Sequence, residues 1–369
     1  EMCIRDRACA MPEKPPPPSV PYAVPGWFMA VVTAPIVIGL LYWGRDFLIP
    51  LAIAALLFIL TAALVDRMDT AQIAGRPLPK WGVRIMGVVI IFLGFTAVAV
   101  ILSNEAEDFV SALPHYSERF QNLTARLETL LGARIVGAIE RSIAEVDIGA
   151  WVSSFASSAS GILATFSLVM LYLAFLFAER NSFLEKLPLM ASNKSDADNV
   201  RTVLNSISES VKQYMWINTI TSAMSGAVAY VIFKLVGLDF AAALALVVFV
   251  VGFVPTIGAF IGITLPALLA LLQFDTWTPF LIVLIGYGTA DQVIANVVQP
   301  MMQGKTLNLS TFMVVVSLAF WGTIWGGIGA FLAVPMMVVA MIIFAEIAPL
   351  RPIAILFSGD GKLLGVEER

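Results

Sequence analysis

The chain has 369 residues, of which 59% are hydrophobic and only 13% charged, with a mean hydropathy of +0.89. Soluble domains carry nearer a quarter charged residues, so this is the composition of a multi-span helical membrane protein, with no stretch polar and long enough for a catalytic domain. A net charge of −4 without a basic patch argues against nucleic-acid partners, and two cysteines (Cys3, Cys9) with one histidine (His115) leave no disulfide framework, metal site or usual catalytic dyad in the body of the protein; no cofactor is expected.

Residues 1–22 form a proline-rich lead-in expected to be disordered. Glu1 to Arg7 resembles translated sequencing adapter, so residues 1–10 are expected to be artefactual and Met11 the start. Sustained apolar runs then predict three transmembrane helices within 23–102, at 23–43, 47–65 and 83–102. The first lacks the basic region and small-residue cleavage site of a signal peptide and is read as a span.

An extracytoplasmic helical region is expected over 103–158. Within it Phe109, Leu113, Tyr116, Phe120, Leu123, Leu127 and Leu130 recur in heptad steps. Such a stripe needs a partner: the following helix, through Ile135, Ile139, Ile143 and Val146, or another subunit. A fourth span lies in 159–178, and 179–216 is read as a cytoplasmic amphipathic helix whose stripe (Val200, Leu204, Ile207, Val211, Tyr214) rests on the inner membrane face. The loop 66–84 carries Arg67, Arg76, Lys80 and Arg84, whereas 103–150 is rich in Asp and Glu, so the positive-inside rule places both termini in the cytoplasm.

The transport core is expected over 217–348, followed by a cytoplasmic tail, 349–369. It holds spans at 217–236 and 278–298 and two apolar stretches, 240–274 and 309–344, each broken by glycine and proline. A helix of 35 residues reaches about 52 Å, against a hydrocarbon core of about 30 Å, so each stretch is expected to fold back on itself. Both breaks contain Ile-Gly-Ala-Phe, at Ile257–Phe260 and Ile328–Phe331. The parity of crossings makes the two span-plus-hairpin units enter from opposite sides. The fold class is therefore an all-α integral membrane protein with about six full transmembrane helices plus two broken helical hairpins forming an inverted repeat, with the substrate route between them.

Asp291 is the ionisable residue nearest a bilayer midplane, where Asp costs on the order of 2.5 to 3.5 kcal/mol, so it must face protein or water. Gln292, Asn296 and Gln299 follow at helical spacing on one neighbouring face, and together they suggest a polar stripe running to Pro300. The alternative is that these groups only join helices by hydrogen bonds. At the first break Gly252, Pro255, Thr256 and Gly258, and at the second Gly322, Gly326, Gly327, Gly329 and Pro335, free backbone groups that lipid cannot hydrate; they line a route or pack helices closely. There is no phosphate-cradling G-x-x-x-x-G-K-[ST], H-E-x-x-H or G-x-S-x-G motif, and the chain is not expected to be an enzyme.

Phe253-Val-Pro255-Thr-Ile-Gly258, Gln292 with Asn296-Val-Val-Gln-Pro300-Met-Met-Gln-Gly304-Lys-Thr-Leu307, Val316-Ser-Leu-Ala-Phe-Trp-Gly322 and Ala330-Phe-Leu-Ala-Val-Pro335 resemble the autoinducer-2 exporter family of bacterial membrane proteins. The resemblance implies a secondary transporter of the inner membrane exporting a small hydrophilic solute, multimeric, with or without a coupled proton or sodium ion. Many members carry an acidic residue where this chain has Ile294, and a Tyr and Pro where it has Thr256 and Ala259, which weakens any coupling scheme built on that carboxylate. A sodium(lithium)/proton antiporter titrating Asp291, a membrane scaffold working through the heptad helix, and a channel formed by an oligomer stand as rival expectations.

Overall fold

The computed structural model describes residues 26–68, a set of positions between 82 and 121, and 159–190, 194–303 and 309–361. Residues through Gly44 make one compact unit and those from Arg45 another. The first contains α1 (Gly26–Trp43), whose described side chains are largely apolar and exposed.

The second unit contains α2 (Arg45–Met68), α3 (Ala159–Met190), α4 (Lys194–Val236), α5 (Ala241–Val251), α6 (Ile257–Gln273), α7 (Trp277–Gln303), α8 (Thr311–Glu346) and α9 (Arg351–Phe357). Among the described residues α4 from Val200 onward, α7 and α8 are long and apolar enough to cross a membrane. Phe47 meets Tyr172 at 5.7 Å and Phe58 meets Phe177 at 4.9 Å, so α2 and α3 advance in the same sense.

Both broken stretches fold back. In the first, α5 and α6 are antiparallel arms joined by a turn at 252–256, and a Cβ placed on Gly258 would overlap the backbone of Val251, lying 2.7 Å from its carbonyl carbon. In the second, α8 is interrupted at Gly326, whose φ of 64° and ψ of −147° are non-helical. Ser317 Oγ donates to the Ala333 carbonyl at 2.9 Å, although the two residues would stand about 24 Å apart along a straight helix. A Cβ on Gly329 would sit 2.6 Å from the Trp321 carbonyl carbon. The glycine of each Ile-Gly-Ala-Phe is thus the point where the two arms of its hairpin touch, and any side chain there would hold them apart.

Four boundaries differ from the sequence expectation. The fourth span, expected to end at 178, runs on without a break in α3 to Met190. No break separates the amphipathic segment from the span at 216/217: α4 is continuous for 43 residues, and Val211 and Tyr214 are buried against protein. Pro335 lies within the return arm of the second hairpin, buried, and not at its turn. The span at 278–298 belongs to a longer helix wound as π-helix at Ile282–Tyr287 and Ile294–Val298. Arg67 lies in the last turn of α2; the lead-in, Arg76, Lys80 and Arg84 of the loop 66–84, Gly304, Leu307 and the heptad positions other than Tyr116 and Phe120 lie outside the described residues.

Candidate functional site

The site is built on α4. Asn218, Thr221, Ser222 and Ser225 recur on one helical face and are all buried, and the stripe continues upward as Ala229 and Phe233. Small side chains along it let the first hairpin and α7 approach closely, in a core shared by Leu244, Val248, Ala267 and Val283. Where hydroxyls replace methyls in that stripe, the neighbours supply partners. Thr221 Oγ1 returns to the Ile217 carbonyl of its own helix at 3.0 Å, which satisfies it locally.

Asp291 is 7% exposed, midway along α7, and faces this stripe. Ser225 Oγ donates to its Oδ1 at 2.8 Å and Tyr287 OH to the same oxygen at 3.3 Å. Tyr287 OH in turn lies 3.6 Å from where a Gly262 Cβ would stand, so the carboxylate network abuts the return arm of the first hairpin. Among the described residues no cationic side chain pairs with Asp291. Two hydroxyl donors on one oxygen can stabilise a carboxylate, and a mobile cation or proton can take the other.

About two turns away, Asn218 couples the hairpin turn to α7. Its Nδ2 donates to the Phe253 carbonyl at 3.3 Å, and Gln299 Nε2 donates to its Oδ1 at 3.4 Å. A Cβ on Gly252 would come within 2.8 Å of Ser222 Oγ, which seats the turn directly on the polar stripe. The turn of the first hairpin meets the return arm of the second here, just past its break at Gly326, with the Phe253 and Phe331 rings 5.1 Å apart. Pro255 is half-buried and Thr256 exposed beside them, and Thr256 takes a φ of 62°, a conformation that a β-branched residue adopts only under strain.

The one neighbouring face expected for Gln292, Asn296 and Gln299 is divided in two. Gln292 and Asn296 are exposed and bond each other, Asn296 Nδ2 donating to Gln292 Oε1 at 2.7 Å, on a face turned about 100° from Asp291. Gln299 returns to the Asp291 face for a physical reason. Eight residues make about 2.2 turns of α-helix and would overshoot it, but π winding takes an extra residue per turn across Ile294–Val298 and brings Gln299 back under Asn218. Ile294 is buried, Pro300 exposed, and Gly322 lies 4.0 Å (as a virtual Cβ) from the Ala330 Cβ across the second hairpin. Asn218, Ser222, Ser225 and Tyr287 were not singled out by sequence reasoning. The signal of the three on α4 is small polar residues spaced four and three apart in an apolar stretch, and that of Tyr287 its place one turn before Asp291.

A family profile described as AI-2E family transporter matches residues 31–348. The chain belongs to this family. It is 25% identical over 304 residues to a putative transport protein of Haemophilus influenzae, covering 79% of this chain and 84% of that one. It is 24% identical over 329 residues to the AI-2 transport protein TqsA of Escherichia coli, covering 87% and 92%, and 28% identical over 207 residues to a putative transport protein of Borreliella burgdorferi, covering 56% and 57%. With its apolar helices, this makes the chain a multi-pass helical protein of the bacterial inner membrane with a role in membrane transport.

Proposed function

We propose that this AI-2E family member is a secondary transporter that exports a small hydrophilic solute of the autoinducer-2 class across the inner membrane. The observation that carries the reading is the contact of the first hairpin's turn with the second hairpin's return arm, Phe253 on Phe331, beside the buried polar stripe of α4 that holds Asp291. In a membrane, buried polar groups and irregular backbone persist together where they serve a solute or an ion. Asp291, Gln299 and Asn218 would bind the solute's hydroxyls, Pro255, Thr256 and Gly258 would line its route at the turn, and Gln292 with Asn296 offer a second pair of amides from the neighbouring face. On this reading six spans and two oppositely entering hairpins form an inverted repeat, both termini are cytoplasmic, and several copies assemble.

The test is flux in proteoliposomes. Labelled autoinducer-2 should leave or enter vesicles in a protein-dependent way, and Asn218→Ala and Gln299→Ala should slow it severalfold. Flux indifferent to both substitutions would sink the site. A second reading, sodium(lithium)/proton antiport, is favoured by one feature: Asp291 is buried with hydroxyl donors but without an ion-pair partner among the described residues. Sodium-dependent proton flux that disappears in Asp291→Asn would select it, since the amide keeps both hydrogen bonds and loses only the charge.

A further inference from the structure

The two hairpins differ in what holds their roots. At the first, Gln273 at the end of α6 ties the arms together: its Nε2 donates to the Gly237 carbonyl at 2.9 Å, and its Oε1 accepts the Asp239 N–H at 2.8 Å. Over this closed root lies a helical segment from a distant part of the chain. Tyr116 OH donates to Asp239 Oδ2 at 2.7 Å, its ring rests 6.4 Å from that of Phe240, and Arg119 pairs with Asp275. Asp239 and Phe240 form the connection into α5, and Asp275 the connection out of α6, so the segment grips the hairpin on both sides. Tyr116 is buried in this contact, and that burial, reinforced by Asp239, pushes its phenol above the ordinary range and keeps it a donor.

The second hairpin is rooted in its own continuation. Ser310 N–H donates to the Phe357 carbonyl at 2.9 Å, Leu309 and Ser358 form a bridge, and Met341, Ala345 and Ala354 close a core between α8 and α9. Residues 309–361 therefore carry their own root bonds. Their contact with the other hairpin turn is made through aromatic rings, Phe331 on Phe253, a surface without directional bonds that can slide at low cost.

We infer that the first hairpin is the stationary one, anchored at its root by Tyr116, Arg119 and Gln273 as positioning residues, and that residues 309–361 move as a body against it. The inference rests on the transport reading for its purpose and on the root contacts for its content. Alternating access then needs α8 to part from Phe253 and to slide on α4 and α2, against which it also packs, while Asn218 and Asp291 stay with the frame.

Pulsed electron spin resonance distances from one reference label test this. A spin label at Glu118 is paired with one at Ile257, and separately with one at Ile328, the matching positions of the repeated tetrapeptide, in protein lacking Cys3 and Cys9 and reconstituted in vesicles. The Glu118–Ile257 pair, separated by about 25 Å if the arm is a straight helix, should give one narrow distance under all conditions. The Glu118–Ile328 pair should give two populations. Arg119→Asp should broaden the first distribution, and Arg119→Asp with Asp275→Arg should narrow it again, which a merely destabilised protein would not do. Two populations for Ile257, or a single unvarying distance for Ile328, overturn the inference. If Ile328 shows two populations that neither autoinducer-2 nor sodium shifts, the mobile body stands and the transport reading is what fails.

Discussion

The glycine at each hairpin crossing can be tested by adding one methyl. In Gly329→Ala the new Cβ would lie 2.6 Å from the Trp321 carbonyl carbon and 2.8 Å from the Trp325 Cβ, and in Gly258→Ala 2.7 Å from the Val251 carbonyl carbon and 3.1 Å from the Gly252 Cα. These are mostly backbone atoms, so no side chain can swing away, and the arms must separate by about 1 Å. A gap of that size forfeits about a quarter to a half of the dispersion attraction along the contact, and overpacking of this kind costs about 1–3 kcal/mol. Gly327→Ala is the control: nothing stands within 4 Å of its virtual Cβ, and its φ is not in the left-handed region. Thermal unfolding in detergent should therefore show both crossing variants falling by a few degrees, with Gly327→Ala near the parent protein. Equal melting of all three would refute the claim that the repeated glycines hold the arms in contact.

Two further outcomes follow from the turn and the polar stripe. Thr256→Gly removes a strained φ of 62° worth about 1–3 kcal/mol, partly offset by the greater chain entropy of glycine, so the melting temperature should rise slightly; a fall would show the conformation to be unstrained. Asn218→Ala deletes the donor to Phe253 and the acceptor for Gln299. It should cost about 0.6 to 1.7 kcal/mol, the range for hydrogen bonds between membrane helices, measurable in a double-mutant cycle with Gln299→Ala that shows coupling.

The hairpins were legible in the sequence because their cause is local: an apolar run too long for the bilayer and interrupted by glycine has to turn. Asp291 was legible for a similar reason, since a carboxylate in an apolar helix is conspicuous by itself. What surrounds it was not. Ser225 and Asn218 are unremarkable letters in α4, and only packing against α7 and the first hairpin gives them partners. The winding of α7 was equally hidden, because a π turn leaves no simple mark in hydrophobic periodicity, yet it decides that Gln299 joins Asp291 while Gln292 and Asn296 do not. Of the expected heptad only Tyr116 and Phe120 lie among the described residues, and Tyr116 meets Phe240, a residue more than a hundred positions away that the heptad pattern does not point to.

These features fit one physical economy. A polar site at membrane depth must be kept dry of lipid, so its groups need neighbours that can approach closely, and α4 supplies them by alternating small hydroxyls with alanine and glycine. The same smallness lets the turn at Gly252 sit on Ser222 and lets Asn218 reach a backbone carbonyl that the turn has freed. That carbonyl is unsatisfied by its own helix because the chain turns there, and the turn exists because the run is too long to cross once. Asn218 is thus the consequence of the hairpin as much as its support: a membrane protein that breaks a helix at depth must place a donor opposite the break. A donor which can exchange the carbonyl for a passing solute hydroxyl, at little change in free energy, is what a solute route at this point requires.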